Sequence, residues 1–462
     1  MLRPAFKKPR QWFNKTKCST CKIKPFAVKF YNINQPRERV SFRQSVLQGA
    51  ASGKGLYFPE NIPVISPSRL AEMEKMDLPQ LAAHLLYEFV REDFSFESFE
   101  ELCQRAFNFP IPLKEIDPRL YTLELFHGPS LAFKDIGARF LSQTLQKFSG
   151  SFNREITVLV ATSGDTGSAV AQSFFNVEGI RVVLLYPSGK VSDLQEKTLT
   201  TVGGNVEALE VDGAFDDCQQ LVKQAFADQE LTSRLVLTSA NSINVGRFLP
   251  QMVYYFWALF QLPRDKRNRV VFSVPSGNYG NLSAGLMAWK MGLSAARFVA
   301  SSNINRVFPD YLDTGRYQPR DPVSTLSNAM DVGNPSNFVR IAELFNHDHQ
   351  AIRRLVSYYV GDDPQIRQTI RQVAEEKDYI LDPHGAVGYL GCQNQLQPGE
   401  TGVFLETAHP AKFQNTVETS IHNKLPLPEY LDRMLKKQKQ ATQMPADYPS
   451  FKAWLLDRLD QP

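Results

Sequence analysis

A chain of 462 residues is too long for one ordinary core and long enough for two or three packed domains, and its 43% apolar and 22% charged residues exclude a disordered or fibrous protein. Its net charge of +4 is unevenly placed: residues 1–27 hold eight Lys or Arg and no acid, so removing those eight charges leaves the body at −4, and the overall basic charge is poor evidence for a nucleic-acid-binding domain. The longest apolar run, Met252 to Phe260, is about half of a bilayer span and reads as a buried helix, so no membrane association is expected.

The arm of residues 1–27 lacks the apolar stretch of a secretory signal. It reads as a disordered extension, or as the basic, acid-free start of an organelle transit peptide. Cys18 and Cys21 have metal-knuckle spacing, but no second pair follows at zinc-site distance, and Cys103, Cys218 and Cys392 are scattered. No metal is therefore expected, and five unpaired-looking cysteines suit a reducing, cytoplasmic setting. Residues 28–126 form an N-terminal segment with a short strand at Lys29 to Tyr31. Leu78, Leu81, Ala82, Leu85, Leu86 and Phe89 mark an amphipathic helix in it. Within that segment, Gly49-Ala50-Ala51-Ser52-Gly53-Lys54-Gly55 approximates a nucleotide P-loop but is one residue short and has Gly where Ser or Thr should follow Lys, so ATP hydrolysis is not expected.

The stretch Leu123 to Asp135 opens a helix whose apolar positions include Phe133, Ile136, Phe140, Leu145 and Phe148, with Lys134 in the first turn. A lysine is ordinarily a surface residue. Here apolar neighbours and the positive end of the helix both disfavour the ammonium, which is the condition an amine that forms a Schiff base requires.

Further on, β-branched runs at 156–161, 181–186, 206–211, 270–274, 297–300 and 402–407 alternate with helical stretches. The alternation predicts an α/β fold with mostly parallel sheets and sites at the carboxyl ends of strands. The smaller α/β domain is expected over 127–265 and the larger over 266–462. Two strand-to-helix loops stand out. Thr162-Ser163-Gly164-Asp165-Thr166-Gly167 offers hydroxyls and amides to a carboxylate or phosphate, and Ser276-Gly277-Asn278-Tyr279-Gly280-Asn281 offers close-approaching amides to a phosphate. Either loop alone also reads as an ordinary cap or turn, and neither has the G-x-G-x-x-G spacing. No G-x-S-x-G elbow or H-E-x-x-H pair occurs, and His347-Asp348-His349 reads as an exposed helix end. A break at Pro426 and Pro428 precedes a basic helix whose Lys436, Lys437 and Lys439 read as a solvated face.

Taken together, HGPSLAFKD, ATSGDTG, SANSINVGR, VPSGNYGN and LETAHPAKF stand in the order and approximate spacing of threonine synthases of the subgroup found in enteric-type bacteria and fungi. KFYNINQPRERVSFRQSVLQGAASGKGLYFPENIP is likewise similar to that family's N-terminal segment, so only residues 1–27 fall outside the resemblance. The resemblance implies a fold-type II pyridoxal-phosphate (PLP) enzyme, tryptophan synthase β-like, with two α/β domains and a mainly helical N-terminal segment. It would convert O-phospho-L-homoserine and water to L-threonine and phosphate, the last step of threonine biosynthesis. By the same resemblance Lys134 carries the cofactor as a Schiff base and acts as general base, Ser276, Gly277, Asn278, Tyr279 and Gly280 bind its phosphate, and Thr407 hydrogen-bonds its ring nitrogen. Asp165 stands where the wider group has an Asn facing the cofactor's 3′ oxygen. Ser163 and Thr166 are expected to hold the substrate carboxylate, and Asn244 and Arg247 its phosphate, for which the planar guanidinium is suited. Lys190 and Lys412 either add charge there or are surface lysines. The expected partner is the small-molecule substrate, with no nucleic acid or membrane, and the chain is expected to be a monomer or homodimer. A phospho-lyase or serine/threonine dehydratase of the same fold, or a catalytically silent scaffold, remain alternatives.

Overall fold

A computed structural model describes residues 28–458 apart from Ser52, Lys54 and Ser163. The arm with its Cys18 and Cys21, and Ser163 of the expected substrate site, lie outside the described residues. The N-terminal segment opens with β1 (Phe30–Asn32), β2 (Gln35–Val40) and β3 (Tyr57–Pro59), an antiparallel sheet in the order β2-β1-β3. Helices α1 (Leu78–Val90) and α2 (Phe96–Ala106) follow. At the start of α1 the Asp77 carboxylate accepts from the Gln80 amide while the Gln80 side chain accepts from the Asp77 amide, and all six apolar residues singled out by spacing are buried.

The strands β4 (Leu113–Asp117) and β5 (Leu120–Glu124) pair antiparallel, and α3 (Lys134–Ser149) buries Ile136, Phe140, Leu145 and Phe148. Phe133 is the residue before the helix rather than part of it. The chain then alternates through β6 (Ile156–Ala161), α4 (Asp165–Phe174), β7 (Ile180–Pro187), α5 (Asp193–Thr200), β8 (Val206–Asp212), α6 (Phe215–Ala227) and β9 (Val236–Ser239). A single helical turn, Val245–Phe248, leads to α7 (Met252–Gln261), β10 (Val270–Pro275), α8 (Gly280–Lys290), β11 (Arg297–Ser302), α9 (Phe338–Leu344) and β12 (Val356–Val360). The last elements used below are α10 (Pro383–Gln395), β13 (Thr401–Glu406), β14 (Thr442–Pro445) and α11 (Tyr448–Asp457).

These strands form a wholly parallel sheet, β14-β8-β7-β6-β9, and a larger one, β12-β11-β10-β13-β5-β4, in which only the β4 pairing is antiparallel. Every residue of β6, β10 and β13 is buried, as expected of parallel strands covered on both faces. Neither sheet is contiguous in sequence. β4 and β5 join the larger sheet from the N-terminal segment, and β14 returns to the smaller one, where Met444, Phe451 and Leu455 share a core with Val211, Cys218 and Leu221. A cut at 265/266 therefore divides that core.

The basic stretch after Pro428 folds differently from expectation. Its helix, Glu429–Leu435, stops before Lys436, because residues 436–440 pass out of the helix toward β14, and Lys439 binds Glu196 at 2.6 Å and Glu210 at 2.7 Å. Asp348 caps the helix His349–Leu355, and the described residues contain no cluster of three or more His, Cys, Asp or Glu able to hold a metal. No described helix is long and apolar enough to cross a membrane.

Candidate active site

The carboxyl ends of β6, β10 and β13 and the start of α3 converge on one region. Just beyond β13 the Thr407 carbonyl accepts the Phe133 amide at 2.8 Å, the Leu131 carbonyl accepts the His409 amide at 3.0 Å, and Ala132 and Ala408 form an antiparallel bridge. At the next peptide, the buried Tyr254 hydroxyl of α7 donates to the Phe133 carbonyl at 2.5 Å. Lys134 thus follows a residue whose amide and carbonyl are both fixed, which limits the directions its side chain can take.

Its ammonium nitrogen lies 3.5 Å from Asp165 Oδ2, and Lys412 Nζ lies 2.9 Å from the other oxygen, Oδ1. Lys412 also donates to the Ser130 carbonyl at 2.9 Å. The Lys134 side chain retains 18% exposure against 3% for Lys412, so Lys134 is the cation open to a ligand. Burial lowers its pKa. Asp165 opposes this, but Lys412 and Arg247 add to the depression, leaving it below the ordinary lysine value. For Asp165 burial alone would raise the pKa, yet the ammonium of Lys412 and then that of Lys134 outweigh it and hold the carboxyl well below the usual range. Asp165 is therefore ionised. Its buried Oδ1 has no well-directed hydrogen bond, so Lys412 acts on it mainly through charge.

Next to Lys134, Asp135 folds back on the preceding turn, where its Oδ2 accepts the Ser130 amide at 2.9 Å. A side chain at Gly128 would meet that oxygen at 2.4 Å, which accounts for the glycine in the HGPS turn. Burial raises the Asp135 pKa to about 6 in spite of this bond.

The loop after β10 is tied to its sheet at one end, where the Ser276 amide donates to Ser301 O and its hydroxyl to Val274 O, both at 2.8 Å. Tyr279 occupies the left-handed region at φ 59°, which is costly for an aromatic residue. Its hydroxyl, 2.7 Å from Ser302 Oγ, and its ring against Phe308 hold it there. Among the described residues no acceptor is found for the amides of Gly277, Asn278, Tyr279 or Gly280, and the first turn of α8 adds its own free N–H groups. The Asn278 side chain is exposed and accepts from the Ser336 amide and hydroxyl, so it braces the neighbouring loop. In the loop after β6, the Thr162 hydroxyl accepts from Gly164 and Gly167 at 3.1 and 2.8 Å. Thr166 is half-buried in the first turn of α4, beside Asp165.

Asn244 and Arg247 behave differently from each other. Asn244 is fully buried; its Oδ1 accepts the Gly246 amide, and its Nδ2 donates to Val46 O at 3.0 Å and Ser239 O at 2.8 Å, so both amide hydrogens are committed within the protein. Arg247 donates from Nη1 to Ala240 O at 2.5 Å, but among the described residues its buried Nε has no partner and no acid pairs with it. It packs on α3 at Gly137, where a Cβ would lie 3.1 Å from Nε. Burial lowers its pKa to about 10, partly offset by Tyr254 and Asp135. A buried guanidinium with an orphaned N–H suits an anion. Lys190 is exposed and its side chain has no described partner, whereas Lys412 is bound into the site.

Three contributors carried no sequence signal. Tyr254 sits inside an apolar run. Arg340 is wholly buried on α9, donating to Ser242 O, Ile243 O and Asn337 Oδ1 with Phe248 beneath it. His384 has Nδ1 2.5 Å from Asp382 Oδ1 and accepts the Ala329 amide on Nε2 at 3.2 Å, which fixes the turn Asn328–Met330 packed on Gly277.

The donor set fits PLP: a half-buried amine of lowered proton affinity, a run of unengaged loop amides, and a Thr407 hydroxyl that no described residue occupies. Residues 106–407 match the family described as pyridoxal-phosphate dependent enzyme, residues 29–107 that described as threonine synthase N terminus, and residues 385–454 that described as threonine synthase, C-terminal. The chain is 44% identical over 430 residues to the threonine synthase of Escherichia coli (strain K12), covering 93% of this chain and 100% of that one. It superposes on the crystal structure of threonine synthase from Escherichia coli with a TM-score of 0.88, over 93% of this chain and 100% of that one. On the PLP-bound threonine synthase from Brucella melitensis the TM-score is also 0.88, at 30% identity over 94% and 100% of the two chains. Similarity of this extent leaves little of the described fold unmatched between residues 29 and 454, and the chain belongs to the threonine synthase family of PLP-dependent lyases.

Proposed function

We propose that the chain converts O-phospho-L-homoserine and water to L-threonine and phosphate, as the last step of threonine biosynthesis. The observation that carries this reading is the pairing of two unlike cations in one site: Lys134, mostly buried and with its pKa lowered by that burial, and the buried Arg247, whose guanidinium has no acid among the described residues to satisfy it. A serine/threonine dehydratase of this fold has no use for the second. Lys134 would hold PLP through its amine, the amides of residues 277–280 its phosphate, and the Thr407 hydroxyl its ring nitrogen, with Asp165 facing its 3′ oxygen. When bound, the cofactor supplies an aldehyde for the substrate amine and a conjugated ring that takes up the electron pair left at Cα.

The residues of the chain divide the remaining work. Lys134, as a neutral amine, takes the proton from substrate Cα, passes it to an oxygen of the substrate phosphate and so becomes neutral again, takes the next proton from Cβ, and delivers protons at Cγ and Cα as threonine forms. Arg247 binds the phosphate both before and after its bond to Cγ breaks, so the leaving group stays at hand to orient the water that adds at Cβ. Thr166, with Ser163, holds the substrate carboxylate at the start of α4, where the helix end favours negative charge. Asn244 contributes by capping the turn that carries Arg247, since its own donors are committed.

The proposed assembly is a monomer or a homodimer. The buried, unpaired thiols of Cys103, Cys218 and Cys392 support a cytoplasmic location. Incubation with O-phospho-L-homoserine is expected to release threonine and phosphate in equal amounts. Phosphate accompanied by a 2-oxo acid and ammonia would instead identify a phospho-lyase. Lys134→Ala is expected to abolish the visible absorption of the bound cofactor, and a colourless wild type would leave only the scaffold.

A further inference from the structure

We infer that Lys412 is a positioning residue of the active site, whose ammonium neutralises Asp165 and so leaves Lys134 free to work as a neutral amine. The inference deepens the proposed function and rests on Lys134 being the reactive amine. Two ammonium groups face a single carboxylate here, and the contacts are unequal: Lys412 Nζ is 2.9 Å from Oδ1, while Lys134 Nζ is 3.5 Å from Oδ2. One negative charge balances one positive charge, and the closer, more buried partner is Lys412.

Lys412 is also held in place. Its nitrogen donates to the Ser130 carbonyl, and it lies on the short turn Pro410–Phe413, five residues beyond Thr407 on the segment that fastens Phe133. If the carboxylate had Lys134 as its only counter-charge, the pair would become an ordinary buried salt bridge and would keep the proton on Lys134. With Lys412 present, the carboxylate is already balanced, and the second ammonium adds repulsion. The other charged or titratable groups facing this pair are Arg247 on the turn Val245–Phe248, Asp135 one residue along α3, and His384 on α10 flanking Asp165. Arg247 acts on Lys134 in the same direction as Lys412 but does not touch Asp165, so it cannot replace it.

The test uses full-length protein freed of cofactor and pulse-acetylated across a pH series, with labelling of Lys134 read by mass spectrometry of its peptide. Wild type and Lys412→Arg are expected to share one midpoint. Lys412→Met, which keeps the apolar stem, is expected to move it up by about one pH unit or more, so that labelling at pH 7.5 slows roughly tenfold. Asp165→Asn is expected to move it down, and Asp165→Asn with Lys412→Met to return it close to wild type, a compensation that a packing role does not produce. Coincident midpoints for wild type and Lys412→Met overturn the inference. So does a Lys412→Arg shift as large as that of Lys412→Met, since charge would then not be the cause. If Lys412→Met does not fold, as judged by circular dichroism, Lys412→Gln takes its place with the same expected shift. A wild type that takes up no PLP counts against the proposed function itself, and a distinct outcome is thus reserved for each.

Discussion

Asp135 stands one residue beyond the reactive lysine and has no contact with solvent. Burial raises its pKa from 3.8 to about 6, so between those values the folded chain binds a proton that the unfolded chain has released. Stability from this group is therefore greatest at low pH, falls as pH rises from about 4 to 6, and stays reduced above that. Asp135→Asn retains an acceptor for the Ser130 amide and removes the buried charge. It is expected to stabilise the protein at pH 7.5 by an amount on the order of 1–3 kcal/mol and to flatten the decline between pH 4 and 6, as read from thermal melts. A variant as pH-sensitive as wild type would mean that Asp135 is not the group responsible. At this scale the sequence indicates chemistry where a residue breaks its usual pattern, as a lysine does among apolar neighbours, and says little where the pattern is kept. Tyr254 in an apolar helix and Arg340 on a short amphipathic one conform to type. Their roles come from the elements they meet, about a hundred residues away in the chain. Asn244 was legible as part of a motif, but not that its amide would be absorbed by Val46 and Ser239.

The elements that form the site are legible in proportion to their burial. Buried central strands such as β6 and β10 are nearly continuous apolar runs, interrupted only by Thr157 and Ser273, and the interior position dictates this because both faces are covered. Edge strands need no such composition, and β14, Thr-Gln-Met-Pro, carries no apolar run at all, so pairing with β8 rather than local pattern defines it. The loop after β10 lies between these cases. Its glycines suggest close approach, but to what is decided by the turn Asn328–Met330, which His384 holds from α10. A Cβ at Gly277 would stand 2.6 Å from the Ala329 carbonyl oxygen and 2.9 Å from Met330 Cα, both backbone atoms that cannot swing aside. Gly277→Ala must therefore displace the loop, at a cost of about 1–3 kcal/mol. That displacement falls on the amides proposed to bind the cofactor phosphate. The expected outcome is a Kd for PLP raised roughly tenfold to a hundredfold, measured by titrating the visible band, with far-UV circular dichroism unchanged. An unaltered Kd would show that these amides do not bear on cofactor binding.

Across the whole molecule, the path of the chain makes the smaller sheet depend on its last described elements. β14 pairs with β8, and Met444, Phe451 and Leu455 fill a core shared with Leu209, Val211 and Leu221. Lys439, just before β14, adds ion pairs to Glu196 on α5 and Glu210 on β8. None of these residues touches Lys134, yet the same sheet contains β6, whose carboxyl end presents Asp165. Burying three such side chains stabilises the fold by about 1.5–3 kcal/mol each, which together approaches the entire net stability of an ordinary domain. A chain ending at Gln440 is therefore expected to lose the smaller sheet and, with it, the site. The visible band should fail to develop on adding PLP, and protease should cleave preferentially between residues 150 and 240. Phe451→Ala, which costs about 3–5 kcal/mol while leaving β14 in place, should lower the melting temperature but let saturating PLP recover part of the loss, because a ligand that binds only the folded state shifts the balance toward it. A shortened chain that melts within a degree or two of the full one, and still takes up PLP, would mean that the smaller sheet is complete without its fifth strand.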